Sequence, residues 1–300
     1  MHFAFFGHPN SDTVDLLKQW VKELTQHHCT FTIHQKLRLS LIEDQFSLPE
    51  TTIFFDDKST LKADVLISLG GDGTILEAVQ YSLADQIPIL GINTGRLGFL
   101  ALNDKQQNIE NLTKILLEKK YKIQQRILLA AQEIDEHGEA ISTSFLEQTK
   151  ALNEITFQKR DSSSMIVIQI LVDGLLLNQY WVDGIIIATP TGSTAYSLSC
   201  GGPILVPGTQ VFCITPMAAH NLTVRPVVIS AESVLDVQVE GRLHQYMLSL
   251  DNRTILMPAK QKIRVKKAQK MANFIILDQE DFFNTLRNKL HWGLDNRPIF

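Results

Sequence analysis

Ser68-Leu69-Gly70-Gly71-Asp72-Gly73-Thr74-Ile75-Leu76 sets three glycines and one carboxylate between an apolar run and a segment of helical period. The residues before it, Ala63-Asp64-Val65-Leu66-Ile67-Ser68, read as a buried strand: the run is short and carries no charge after Asp64. After it, Ile75, Leu76, Val79 and Leu83 recur at the spacing of one helix face. A glycine-rich passage from strand to helix lets backbone N–H groups approach phosphate oxygens with no Cβ in the way. Asp72 is the odd residue, because a carboxylate repels phosphate. It suits such a loop if it takes a proton, orients a hydroxyl or meets a metal. The alternative is a tight turn in which Asp72 only caps the helix.

Outward from this loop, residues 1–125 alternate strand-like and helix-like segments. Residues 3–6 read as a strand entering Gly7-His8-Pro9-Asn10, and Ser11-Asp12-Thr13 can cap a helix with Val14, Leu17, Val21 and Leu24 on one face. Residues 87–92 read as another strand, followed by a second functional-looking loop, Asn93-Thr94-Gly95-Arg96-Leu97-Gly98-Phe99-Leu100. Residues 108–120 read as a helix with Ile109, Leu112, Ile115 and Leu116 apolar, while residues 30–62 show no clear pattern. The alternation predicts an α/β domain with a Rossmann-like parallel sheet over 1–125.

From residue 126 the rhythm becomes closely spaced strands. Residues 127–134 and 140–145 flank Glu136-His137-Gly138, and 165–172 and 175–180 flank Asp173-Gly174, the stronger hairpin signal. Apolar runs near 184–189, 211–215, 224–229, 234–239, 245–250 and 262–266 continue the pattern, which predicts an all-β sandwich over 126–275. Residues 281–292 read as a helix, so 276–300 are expected to form a helical tail packing back on the first domain.

Composition narrows the function. The 300 residues are 44% hydrophobic and 20% charged, as in a soluble globular protein, with length enough for two domains. A net charge of −4 argues against nucleic acid as main partner, since phosphate backbones attract basic faces. Cys29, Cys200 and Cys213 lack CxxC spacing, which points to neither a disulfide framework nor a zinc site, and fits reduced thiols in the cytoplasm. No stretch has signal-sequence or membrane-spanning length, so no membrane partner is expected.

A second small-residue stretch follows Asp183-Gly184 and its apolar strand: Thr189-Pro190-Thr191-Gly192-Ser193-Thr194-Ala195-Tyr196-Ser197-Leu198-Ser199-Cys200-Gly201-Gly202-Pro203. Its many neutral donors and acceptors suit a purine edge, a ribose or a phosphate, and Tyr196 adds a flat apolar face. A turn-rich connection between sandwich strands explains Pro190, Gly192 and Pro203 equally well.

Taken in order, Gly70-Gly71-Asp72-Gly73-Thr74, Asn93 to Phe99, Asn153-Glu154, Asp183-Gly184 and the stretch 189–203 resemble the bacterial NAD kinases over nearly the whole chain. GGDG alone also occurs in diacylglycerol kinases, sphingosine kinases and phosphofructokinases; the long Thr-Pro-Thr-Gly-Ser-Thr-Ala-Tyr stretch is the specific part. The resemblance implies an α/β domain joined to a β-sandwich, assembled as a homodimer or homotetramer with the site near a subunit interface. It implies transfer of the γ-phosphoryl of ATP, with Mg²⁺ or another divalent cation, to the 2′-hydroxyl of the adenosine ribose of NAD. Asp72 then matches the proton acceptor, and Gly70, Gly71, Gly73 and Thr74 the loop that closes on the ligand. Asn153 and Glu154 match the pair that grips ribose hydroxyls, and Asp183 a contact to NAD. Thr194, Ala195, Tyr196, Ser197, Leu198 and Ser199 match the lining of the dinucleotide pocket.

Some positions depart from the family pattern. Arg253 stands where Gln is usual, and a guanidinium donates but cannot accept. Ser164 and Trp181 stand where relatives often carry a ring or a basic side chain. His220 with Thr215-Pro216-Met217 instead resembles the family, which implies a place near the site, though a structural histidine fits equally well. Two rival readings make different demands. A lipid kinase with the same loop calls for a membrane-facing basic surface, of which the acidic composition gives no sign. A dinucleotide-binding regulator without catalysis would have no need of a base at Asp72. A dehydrogenase fits worse, since the loop is not GxGxxG and its acid lies inside it.

Overall fold

The computed structural model describes all residues except 58–59, 96–97, 102, 105–106, 142–145, 147–148, 161–164, 241–243, 278–280 and 292–300. Contacts divide the chain into two compact units, Met1–Gln124 with Asn273–Phe300, and Gln125–Ala272.

The first unit is built on a mainly parallel sheet. Its order is Ile53–Phe55, Thr30–His34, His2–Gly7, Val65–Leu69, Ile89–Asn93, Ala272–Ile276 and Lys122–Arg126, with Asn103–Asp104 also pairing with Ile89–Asn93. The pairs from Ile53–Phe55 through to Ala272–Ile276 are parallel. After His2–Gly7 the chain runs out to the two strands on one side, then returns to the other side as Val65–Leu69. The strand order thus reverses there, and Gly7 and Leu69 stand opposite each other in register. In open α/β sheets ligands bind outside the carboxyl ends of strands at such a reversal. Two loops leave from it, Gly7-His8-Pro9-Asn10 and the glycine loop.

The helix Ser11–Gln26 starts where the sequence suggests, but its cap is Asn10, whose side chain accepts from the Thr13 N–H at 2.9 Å. It buries Leu17, Trp20 and Leu24 fully against Phe5 and Ile33, and removing each such side chain from water contributes about 1.5–3 kcal/mol. In the patternless region 30–62 lie two strands and the helix Gln35–Glu43. The helix expected at 281–292 is Phe282–Leu290, in the first unit; Trp292 lies outside the described residues.

The second unit is a sandwich of two antiparallel sheets. The larger runs Lys150–Ala151, Leu129–Ile134, Lys262–Lys267, Leu235–Glu240, Ile166–Val172 and Leu175–Val182, with Ala140–Ile141 beside Leu129–Ile134. Of the strand expected at 140–145, residues 142–145 lie outside the described residues. The smaller runs Val227–Ser230, Val211–Met217, Gly184–Ala188, Glu154–Lys159, Gln245–Leu250 and Arg253–Pro258. Inward residues of both sheets, among them Phe157, Ile168, Phe212, Val237, Tyr246 and Val265, form one core. Asp173 and Gly174 both have positive φ (50° and 81°), as a two-residue type I′ hairpin requires. Gly184–Ala188 is buried on both faces. Ile185 and Ile187 enter the core, while Ile186 and Ala188 pack with Met217 and Cys200 on the other side. That second covering explains an uninterrupted apolar run in an antiparallel sheet.

Candidate functional site

Val65–Leu69 is wholly buried, and the helix Asp72–Ser82 follows with Gly71 as its N-cap and no side-chain cap. Asp72 is therefore the first helical residue and not the cap. Its carboxylate turns to the second loop, where Oδ2 accepts from the Phe99 N–H at 2.8 Å and Oδ1 from those of Leu100 and Ala101, both at 3.0 Å. A carboxylate offers about four lone-pair positions, so one remains on Oδ2. Gly98 makes this approach possible, because a Cβ there would lie 1.7 Å from Asp72 Oδ1. The Phe99 ring also receives Lys289 of the C-terminal helix, whose Nζ stands 5.8 Å from the ring centre. Arg96 and Leu97 of this loop lie outside the described residues.

The glycines of the first loop differ in purpose. A Cβ on Gly70 would fall 2.2 Å from Thr74 Oγ1, so internal packing excludes it, and Thr74 is itself buried. At Gly71 and Gly73 no atom lies within 4 Å of where a Cβ would stand. The protein's own packing makes no demand for glycine at those two positions.

In the second unit, Asn153 and Glu154 stand where the chain enters the strand Glu154–Lys159. The Thr189 N–H donates to the Asn153 carbonyl at 2.8 Å, and Thr189 Oγ1 donates to the Leu152 carbonyl at 2.5 Å. Gly192 lies so close that a Cβ would meet the Asn153 carbonyl oxygen at 2.1 Å. The small-residue stretch thus folds directly over the pair. Asn153 Oδ1 and Glu154 Oε2 are buried and have no hydrogen-bond partner among the described residues. Burial, and then the charge of Asp251, push the Glu154 carboxyl up to about 8.

Asp183 forms an ion pair with Lys159, Oδ1 to Nζ 2.6 Å. Both line an open cavity of about 470 Å³ with Tyr196, Cys200, Arg160 and Met217. Burial raises the Tyr196 phenol and the Cys200 thiol, with the Glu154 charge acting on both in the same direction.

The other expected site residues are divided. Tyr196–Ser199 is a single helical turn following the 3₁₀ turn Gly192–Thr194. Thr194, Ala195 and Leu198 are half-buried and Ser199 is exposed. Ser197 points inward and shares a 2.8 Å hydrogen bond with the buried Thr215. Trp181 is 57% exposed, and its carbonyl accepts from the His220 N–H at 2.9 Å. Arg253 donates to the Lys150 and Leu250 carbonyls at 2.9 and 3.3 Å, bracing the chain just before Asn153. Ser164 lies outside the described residues. Sequence reasoning missed Lys159 and Arg160 around the cavity, and nothing local marks them. It placed Cys200 in the small-residue stretch and Asp251 two residues before Arg253 but gave neither a role.

Comparison with known proteins follows the same division. The model of the ATP-NAD kinase N-terminal domain matches residues 3–121, and that of the ATP-NAD kinase C-terminal domain matches 152–277. An NAD kinase of Flavobacterium psychrophilum is 42% identical, covering 99% of this chain and all of the relative. One of Bacteroides fragilis is 37% identical over the same shares. Among solved structures, a yeast NADH kinase complexed with NADH has a TM-score of 0.88 at 22% identity, over 100% of this chain and 90% of the other. An NAD kinase from Archaeoglobus fulgidus in complex with ATP gives 0.73 at 25% identity, over 97% and 99%.

Proposed function

The chain belongs to the NAD kinase family, and from that premise we propose how its own residues carry the transfer of a phosphoryl group from ATP to NAD. It is an NAD kinase, a phosphotransferase with an alcohol as acceptor. The observation that carries this reading is the match along the whole length, 42% identity over 99% of the chain. Neither the lipid-kinase nor the regulator alternative has an observation in its favour.

In the reaction the 2′-hydroxyl oxygen of the adenosine ribose bonds to the γ-phosphorus as the bond from that phosphorus to the bridging oxygen breaks. ADP leaves, and the hydroxyl proton passes to Asp72. Three backbone N–H groups fix the Asp72 carboxylate, and the remaining lone pair on Oδ2 receives the proton. A base so positioned contributes about 10²–10⁴-fold. Gly71 and Gly73 leave room for phosphate oxygens beside the uncapped start of the helix.

Asn153 and Glu154 grip ribose hydroxyls with the side-chain oxygens that have no partner among the described residues. Protonated near pH 7, Glu154 can donate from one oxygen and accept at the other. Asp183 and Tyr196 contact the dinucleotide in the cavity they share, with Thr194, Ala195, Leu198 and Ser199 alongside.

Among the described residues no three His, Cys, Asp or Glu side chains gather to hold a metal ion. That fits a divalent cation, Mg²⁺ or a similar ion, that would be carried in by the nucleotide phosphates. Such an ion neutralises charge on those phosphates. Assembly as a homodimer or homotetramer is supported by the edge strand Leu175–Val182, which exposes Leu175, Leu176 and Trp181. Three free cysteines suit the cytoplasm, and among the described residues no helix is long and apolar enough to cross a membrane.

The test is product formation from purified protein with NAD, ATP and Mg²⁺, resolving the 2′-phosphate by chromatography. NADP is expected, and Asp72→Ala should lower kcat by about 10²–10⁴-fold while NAD still binds. An Asp72→Ala variant with wild-type kcat would overturn the assignment of the base.

A further inference from the structure

Asp251 sits in the turn between the strands Gln245–Leu250 and Arg253–Pro258. Its side chain is fully buried, at 0% exposure. Such a carboxylate needs partners to offset its lost hydration. It finds them in three consecutive backbone N–H groups about a hundred residues earlier in the chain. Leu152 donates to Oδ2 at 2.8 Å, Asn153 to Oδ1 at 2.8 Å and Glu154 to Oδ1 at 3.1 Å. The Asp251 N–H returns a bond to the Glu154 carbonyl at 3.0 Å. On the far side, the guanidinium of Arg253 lies 3.5 Å from Oδ2 while bonding the Lys150 carbonyl.

The segment so gripped presents two side chains whose outer oxygens, Asn153 Oδ1 and Glu154 Oε2, have no partner among the described residues. We propose that Asp251 is a positioning residue, which fixes the Leu152–Glu154 backbone so that the Asn153 and Glu154 side chains are held ready for the ribose of NAD. The inference rests on the reading that this pair binds NAD. Only a carboxylate meets the requirement. An Asn amide accepts at one oxygen and would turn its NH₂ donors against at least one of the three N–H groups.

Two acids buried side by side do not both carry charge easily. Burial pushes both carboxyls up, but Asp251 has three N–H donors and a guanidinium that oppose the push, whereas Glu154 has neither among the described residues. Burial first, and the Asp251 charge second, favour the protonated, donating form of Glu154. Among the described residues, the charged and titratable groups that act on this point are Asp251, with Arg253 beside it, and Tyr196 and Cys200 at the two ends of the helical turn 196–199. Loss of the Asp251 charge should ease ionisation of Glu154.

The experiment is NAD kinase kinetics from pH 6 to 9.5 on wild type, Asp251→Asn and Asp251→Glu, each with a thermal melt. In wild type the KM for NAD should rise as the pH passes about 8, where Glu154 loses its proton. Asp251→Asn should raise KM by about ten- to hundredfold with a smaller change in kcat, and move the midpoint of that rise to lower pH. A purely structural role would lower the melting temperature and leave the midpoint in place. Wild-type KM with an unmoved midpoint overturns the proposal.

Should Asp251→Asn fail to fold, Asp251→Glu decides, since it keeps the charge and shifts the oxygens. A raised KM with the midpoint still near 8 supports positioning, and a wild-type KM refutes it. If wild type makes no NADP, the functional reading fails instead, and the same comparison is made on the Kd of NAD by calorimetry.

Discussion

Replacing Gly73 by Ala separates what the fold needs from what the ligand needs. Gly73 lies in the first turn of the helix Asp72–Ser82, and a Cβ there would meet no atom within 4 Å. Glycine inside a helix is less favourable than alanine by roughly 0.5–1 kcal/mol, through backbone entropy lost on folding. With no clash to offset it, Gly73→Ala should stabilise the protein by about 0.5 kcal/mol at this end position. For a chain this long that is about 1–2 °C in Tm. Activity should move the other way. If phosphate oxygens come up against the backbone at Gly73, the added methyl displaces them by about 1 Å, and misplacement of that size costs up to about 10² in rate. The assay pairs a thermal melt with kcat/KM for ATP at saturating NAD. A variant that is more stable and poorer in kcat/KM supports the reading. Wild-type kcat/KM would refute the claim that this glycine makes room for ligand, and a lowered Tm would refute the structural half.

Gly98→Ala should behave differently, because its Cβ would stand 1.7 Å from Asp72 Oδ1. A carbon–oxygen contact needs about 3.3 Å, so loop or carboxylate must move about 1.6 Å; both Tm and kcat should fall, and a kcat equal to wild type would show that the amide clamp is dispensable. Glu154→Gln tests the burial of the acid through stability. The folded-state value of Glu154 is about 8 against an ordinary 4.5, so between those pH values the folded state holds a proton that the unfolded chain has lost. Stability therefore falls as pH rises through that window, by at most roughly 1.4 kcal/mol per pH unit from this group, and levels off above it. Denaturant melts at pH 5 and 8 should show a smaller loss for Glu154→Gln than for wild type; equal losses would mean that Glu154 is ionised at neutral pH.

How much of this was legible in the sequence depends on how far apart the cooperating residues lie. The glycine loop was readable because strand, turn and helix start all fall within a dozen residues, and each has a local signature. What Asp72 does there was not readable, since its three donors come from Phe99, Leu100 and Ala101 in another loop. The sequence also treats Gly70, Gly71 and Gly73 alike, although one is held by Thr74 and two face open space. Residues 30–62 gave no pattern for a physical reason. The strand Ile53–Phe55 has three residues, too few for a period, and the helix Gln35–Glu43 buries Leu37 and Leu41 while leaving Leu39 and Ile42 exposed. The strand Ala272–Ile276 hid for another reason: it follows many sandwich strands in sequence yet pairs with Ile89 of the parallel sheet.

Arg253 shows how a departure from a family pattern acquires meaning only in three dimensions. Read alone, a guanidinium in place of an amide suggests either a new phosphate contact or an idle surface group. Its nitrogens instead donate to the carbonyls of Lys150 and Leu250 and face Asp251. Burial pushes the Asp251 carboxyl up, and the three N–H groups and the nearby guanidinium offset part of that desolvation cost and favour its charged form. The positive charge thus acts on the residue that orients Asn153 and Glu154. Substitutions at 253 should then alter NAD binding through the conformation of the Lys150–Glu154 segment, even where the side chain itself touches no ligand.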